Sequence, residues 1–203
     1  VSSAAAIGTK GVPRPEREES IVAEATERFA RSGYAGTSVA DIAAGAGISK
    51  PLIYQYFGSK DGLFLACLHH VAGPMLERLE VAWQHEDDTV LSRVATLGAV
   101  FDSLEPQRVA WLLLFDETMP DAGSIAEAAN AYRARTMQVA ASGSARFLEA
   151  RGIHDLLDTS ALSAVWTGLV NSLVLWWLEH PDVTAAQMTE RCRRLMTAVV
   201  EQP

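Results

Sequence analysis

Apolar positions in this chain recur at intervals of three and four, and no stretch alternates at two. Over 16–32, Ile21, Ala25 and Phe29 stand four apart with charges between them, and Gly33 closes the run, so the spacing predicts a helix. A short second helix is expected to begin at Ser38. Thr37 and Ser38 are favoured N-cap types, Ser38 with Asp41 forms a capping-box pattern, and Val39, Ile42 and Ala43 share one apolar face. Gly45-Ala46-Gly47 should end that helix, because glycine tolerates the left-handed values of a helix exit. Ser49 can cap a third helix, with Pro51 in its first turn, where a missing N–H is least costly. Ile48, Ile53 and Phe57 are expected inward, which leaves Lys50, Leu52, Tyr54, Gln55 and Tyr56 for other faces.

A long helix is predicted from Ser59 to about Gln84, roughly 37 Å at the usual rise, with a kink or break at Gly73-Pro74. Helical patterning continues over 89–104, 106–118, 124–149, 160–179 and 184–200, separated by acidic, proline- or glycine-bearing breaks. With no strand signal, the fold class expected is all-α, with about nine helices.

The stretch 37–60 organises the rest. A helix of small residues, a glycine turn and a second capped helix form the pattern of a helix-turn-helix, which presents the start of its second helix to the major groove. The run I-A-A-G-A-G-I-S-K-P-L-I-Y-Q-Y-F-G-S-K-D-G-L closely resembles the DNA-binding domain of the tetracycline-repressor (TetR) family. The positions that carry the likeness are Gly47, Ile48, Ser49, Ile53, Tyr54, Phe57, Ser59 and Lys60, and it covers 21–65; beyond that, only length and layout agree.

The resemblance implies a flexible arm at 1–15, a helix-turn-helix domain at 16–62 and a helical ligand-binding and dimerisation domain at 63–203. It implies a homodimer on a palindromic double-stranded operator, released by a small-molecule effector, in the cytoplasm, acting as a repressor rather than an activator. Carried over by position, Thr37, Tyr56 and Lys60 should meet phosphates, with Ser38 and Ser49 beside them as caps. Lys50, Pro51, Leu52 and Tyr54 should face base edges; Lys50 can donate to guanine, and Pro51 and Leu52 can touch a thymine methyl. Two departures reduce hydrogen-bonding readout. Ala40 stands where some members place a long polar reader, and Leu52 replaces a small or hydroxyl residue. Shape readout or the arm, with Lys10, Arg14 and Arg17, would then carry more of the specificity.

Charge sharpens this picture. The chain carries a net −8, yet residues 1–60 hold seven Lys/Arg against six Asp/Glu. A near-neutral head on an acidic body suits DNA contact by the head alone. Two distant cysteines, Cys67 and Cys192, argue against a disulfide framework and fit a reducing compartment. The first residues hold no apolar run long enough for a signal peptide.

In the body, Trp83, Phe101, Trp111, Phe115, Met119, Met137, Phe147 and Trp166 supply large apolar groups for an effector pocket, though each singly reads as core. Residues 159–178 carry no charge and nearly suffice to span a bilayer. Their hydroxyl and amide side chains and their acidic flanks favour instead a helix buried on two sides, with no membrane partner. One side would pack within the subunit. Ala164, Gly168 and Asn171, with Met188, Cys192 and Leu195 of the last helix, would meet a second copy, as the family's last two helices do.

A catalytic reading has little to stand on. Cys67 and His70 share a helix face and could form half a metal site, but His85, His154 and His180 are scattered. There is no glycine-rich phosphate loop, GxSxG elbow or HExxH helix, and no cofactor or metal is expected. A non-specific architectural DNA binder is the other alternative, marked by weak, salt-dependent binding.

Overall fold

The computed structural model describes residues 13–84 and 90–200, the side chains of 83, 84, 90–92, 199 and 200 excepted. Within them lie eight α-helices, one 3-10 helix and no strand. The described residues fall into two compact units, those within Val1–Val71 and Val109–Asn130, and those within Ala72–Arg108 and Ala131–Pro203.

The first unit opens with α1, Arg14–Gly36, with Pro13 as its N-cap residue. The helix therefore reaches into the stretch expected to be a flexible arm. Gly33 (φ 69°, ψ 170°) breaks it as the sequence predicts, in the left-handed region that only glycine enters cheaply. The last turn then resumes and ends at Gly36. α2, Val39–Gly45, and α3, Lys50–Phe57, follow, each too short to persist alone. Packing holds them. Ile21, Ala25 and Phe29 of α1, Ile42 of α2, Ile53 of α3 and Leu63 and Phe64 of α4 are all at most 1% exposed. Each large aliphatic or aromatic side chain buried this way contributes about 1.5–3 kcal/mol. Phe64 meets Phe29 edge-on at 4.8 Å and Tyr34 edge-on at 5.3 Å.

α4, Lys60–Gln84, begins in the first unit and ends in the second. The helical run continues through Pro74, so the expected interruption is not a break in the helix. After α5, Val90–Leu104, residues 105–115 do not form the α-helix expected over 106–118. They form a 3-10 helix, Glu105–Phe115, with Gln107 extended (φ −154°, ψ 74°) just after Pro106. Its narrower turn carries Ala110, Trp111, Leu113 and Leu114 inward.

The second unit contains α5, most of α6 (Ser124–Glu149), α7 (Leu156–Leu178) and α8 (Ala185–Val200). α7 starts four residues before its expected position because Asp155 caps it, accepting the Leu157 N–H at 2.7 Å. α5 lies on α8, and Gly98 lets Thr189 approach closely. Trp177 ties the α7–α8 corner together. Its indole N–H donates to the Val183 carbonyl at 2.6 Å, Phe101 meets it edge-on at 5.4 Å, and the Arg108 guanidinium lies 4.1 Å over its ring. Glu105 accepts the Ala185 N–H at 2.8 Å, and Thr184 and Gln187 cap one another's amides, so α8 has a defined start.

Candidate nucleic-acid interface

The site rests on how α3 is held. Ile53 is fully buried and fixes the inner face of the helix. Lys50, Pro51, Tyr54 and Gln55 are left exposed on the other side, and Leu52 and Tyr56 are half-buried. Ile48 and Phe57, expected inward, are also half-buried. The Lys50 ammonium lies 5.7 Å from the Tyr54 ring, a cation over a π-face.

The turn before α3 uses its glycines differently. Gly47 takes the left-handed conformation (φ 65°), while the Ile48 N–H closes back on the Ala43 carbonyl at 3.0 Å. At Gly45 any side chain would displace a neighbouring ion pair. A methyl there would stand 1.9 Å from a Glu24 carboxylate oxygen, and Glu24 is itself paired with Arg28 at 2.7 Å. The α1 ion pair thus sits on the end of α2.

Ser38 caps α2 as the sequence predicts, accepting the Asp41 N–H at 3.1 Å. Ser49 makes no side-chain capping bond and is exposed. Thr37 departs from expectation. It is 5% exposed, and its hydroxyl donates to the carbonyls of Arg28 at 3.1 Å and Gly33 at 2.8 Å. The side chain closes the broken end of α1 and is not free to meet a phosphate.

Tyr56 lies in the last turn of α3, and Lys60 begins α4 just beyond it. The Tyr56 hydroxyl accepts from Arg17 at 2.9 Å, and the Arg14 guanidinium lies 4.9 Å from its ring. The first turns of α1 therefore bring two cations to this face; Lys10 lies outside the described residues. The Lys60 ammonium sits 4.3 Å over the ring of Tyr34, whose hydroxyl donates to Asp61 at 2.5 Å. Burial, and then the neighbouring Asp61 carboxylate, push the Tyr34 phenol up to about 12. Sequence reasoning does not single out Tyr34. Its one signal is its place directly after the helix-breaking Gly33.

Beyond this face the candidates scatter. Trp111, Phe115 and Met119 fall in the first unit, and Phe101, Met137 and Trp166 in the second. Trp83 lies outside the described side chains. Phe101 and Trp111 are buried as core, whereas Phe115 and Met137 are half exposed. Of the residues expected to meet a second copy, Met188 and Cys192 are buried inside their own unit, which removes them from such a face. Ala164, Gly168 and Leu195 are exposed, and Asn171 is half-buried. Cys67 and His70 do not share an environment. The thiol is buried, donates weakly to the Val22 carbonyl at 3.7 Å and is pushed up to about 12 by burial, while His69 and His70 are exposed.

Residues 21–67, the packed α1–α4 segment, match the model for bacterial regulatory proteins of the tetR family. Over that segment the chain is similar to the tetR family. Among curated relatives, the HTH-type transcriptional activator FasR of Mycolicibacterium smegmatis is 32% identical over 105 residues, 52% of this chain and 48% of that protein. The HTH-type transcriptional repressor Rv3405c of Mycobacterium tuberculosis is 42% identical over 66 residues, 32% of this chain and 35% of that protein. The chain thus spans about half or less of the length of these relatives. In fold, it resembles the TetR family regulator PfmR of Thermus thermophilus, with a TM-score of 0.72 at 18% identity over 90% of this chain and 95% of that one. It also resembles FadR of Bacillus subtilis solved with stearoyl-CoA, with a TM-score of 0.67 at 18% identity over 90% and 99%.

Proposed function

We propose that the chain is a sequence-specific, DNA-binding transcriptional regulator that binds a palindromic operator as a homodimer and is released by a small-molecule effector. The observation that carries this reading is α3. One side chain, Ile53, is fully buried, and Lys50, Pro51 and Tyr54 are exposed opposite it, with Tyr56 and Lys60 alongside. That arrangement suits base contact from the start of α3 and phosphate contact from its last turn and the start of α4. Arg14 and Arg17 join the phosphate-contacting set in place of Thr37.

A second copy is proposed to cover α7 and the later turn of α8 that carries Leu195. α7 alone among the described helices is long and apolar enough to cross a membrane. Val165, Leu175, Trp176 and Leu195 nonetheless stand exposed on the single chain, and a second copy would cover such a face. Release is proposed to act through α4, which runs from the first unit into the second and carries Gly73-Pro74. An effector shifts the equilibrium only if it binds the two states unequally.

Selection of bound duplexes from a random pool tests the reading. A palindrome is expected. Weak, salt-sensitive binding without enrichment would favour an architectural role instead. Stearoyl-CoA, bound by FadR, is the first effector to titrate against the selected operator; it is expected to lower operator affinity.

A further inference from the structure

Tyr34 is held at every side. Its backbone N–H donates to the Asp116 carboxylate at 2.5 Å, and the next N–H, of Ala35, donates to the Thr118 hydroxyl at 3.1 Å. Asp116 also accepts the Thr118 N–H at 2.8 Å and its hydroxyl at 2.7 Å, so the short segment after the 3-10 helix forms a rigid cap on the broken end of α1. The Tyr34 ring lies nearly parallel to Phe29 at 6.2 Å, with Phe64 edge-on. Its hydroxyl is engaged by Asp61. A ring fixed at its amide, two neighbouring rings and its hydroxyl has one use left for an open face, and Lys60 occupies it.

From this geometry we infer that Tyr34 is a positioning residue for phosphate contact: its ring face, 4.3 Å beneath the Lys60 ammonium, holds that ammonium in place. The inference rests on the reading of the chain as a DNA binder. Lysine is a flexible point charge that loses rotamer freedom when it pairs with a phosphate. An aromatic platform restricts it beforehand while leaving the charge intact, which favours contact in the way preorganisation does. A residue that merely fills the core would alter stability and leave the number of neutralised phosphates unchanged.

The experiment compares the full chain with Tyr34→Phe, Tyr34→Leu, Lys60→Ala and the Tyr34→Leu/Lys60→Ala pair. Affinity is measured for the selected operator and an unrelated duplex over a salt series. Lys60→Ala should make the plot of log affinity against log salt shallower by about 0.9, the value of one phosphate contact. Tyr34→Leu should do the same on both duplexes and add little to Lys60→Ala. Tyr34→Phe, which keeps the ring, should keep the parental slope. A parental slope in Tyr34→Leu, or full additivity with Lys60→Ala, overturns the inference. Should Tyr34→Leu not fold, carbon-13 labelling of lysine decides. The Lys60 ε-methylene should be shifted upfield by the ring in both the parent and Tyr34→Phe, and an ordinary shift in the parent overturns the inference. If the parent binds no duplex at all, the DNA-binding reading fails instead.

Discussion

A methyl group added to Gly62 would stand 2.0 Å from the carbonyl oxygen of Phe57. That oxygen belongs to the backbone at the end of α3 and already accepts the Ser59 N–H at 2.9 Å, so it cannot swing aside. Gly62 sits in the first turn of α4, and its own N–H donates to the Ser59 hydroxyl at 2.9 Å. Its lack of a side chain sets how closely α4 follows α3. Gly62→Ala should therefore destabilise the protein by about 1–3 kcal/mol, the usual cost of overpacking, although alanine is the better helix former. Urea unfolding measures this. An unchanged or raised midpoint would show that the α3–α4 corner yields.

Lys50 and Lys60 are both cations near α3 but should act differently on DNA. Lys50 is exposed in the first turn of α3, where it can reach a base edge; Lys60 begins α4 beside the phosphate path proposed above. Lys50→Ala should cost about 1–3 kcal/mol on the operator and relax preference at one base position. Lys60→Ala should weaken all duplexes alike. Binding to a panel of single-base operator variants separates the two. Parental behaviour in both mutants would place the docking face elsewhere.

The helices were legible because their signals are local. Gly33 breaks α1, Ser38 caps α2, and the four-residue spacing of Ile21, Ala25 and Phe29 marks a core face. The departures come from contacts between residues far apart in sequence. Thr37 has the composition of a phosphate ligand, but Arg28 and Gly33 present it with two carbonyls once α1 is broken. Met188 and Cys192 share the helical period of an interface, yet the same period faces α5 within the subunit. Asp116, 82 residues from Tyr34, has no local pattern that could reveal its role as a cap.

Thr37→Val tests that reassignment. Valine preserves the shape of threonine and removes the hydroxyl that donates to Arg28 and Gly33. The loss should cost about 1–3 kcal/mol of stability, because two carbonyls are left with one donor fewer. The salt dependence of operator binding should stay parental. A shallower salt dependence with unchanged stability would return Thr37 to the phosphate contacts.

Stability should fall in alkali through two groups. The Cys67 thiol rises from an ordinary 9.0 to about 12 and the Tyr34 phenol from 10.0 to about 12, both led by burial. The folded state holds these protons longer than the unfolded chain does. Their contribution is thus complete below about pH 9 and is lost as pH climbs toward about 12. Urea midpoints across that window should decline less steeply in Cys67→Ala and in Tyr34→Phe than in the parent. Parallel declines in all three proteins would assign the alkaline loss to other groups.

The exposed apolar face of α7 and α8 should separate a role in assembly from a role in the core. Val165 and Leu195 are 63% and 61% exposed, whereas Met188, about two helix turns before Leu195, is 1% exposed. Leu195→Glu or Val165→Glu places a charge where the single chain needs no apolar contact, so each subunit should keep its helical content. Burial of that charge between two copies would be costly unless it found a partner, and the dimer should dissociate. Operator affinity should drop with it, since two half-sites are no longer held at one helical turn of spacing. Met188→Ala should do the reverse, costing about 2–5 kcal/mol as a buried truncation while leaving association intact. Sedimentation velocity with urea unfolding distinguishes these outcomes. A parent that sediments as a single chain, or a Leu195→Glu variant that remains dimeric, would move the interface off this face.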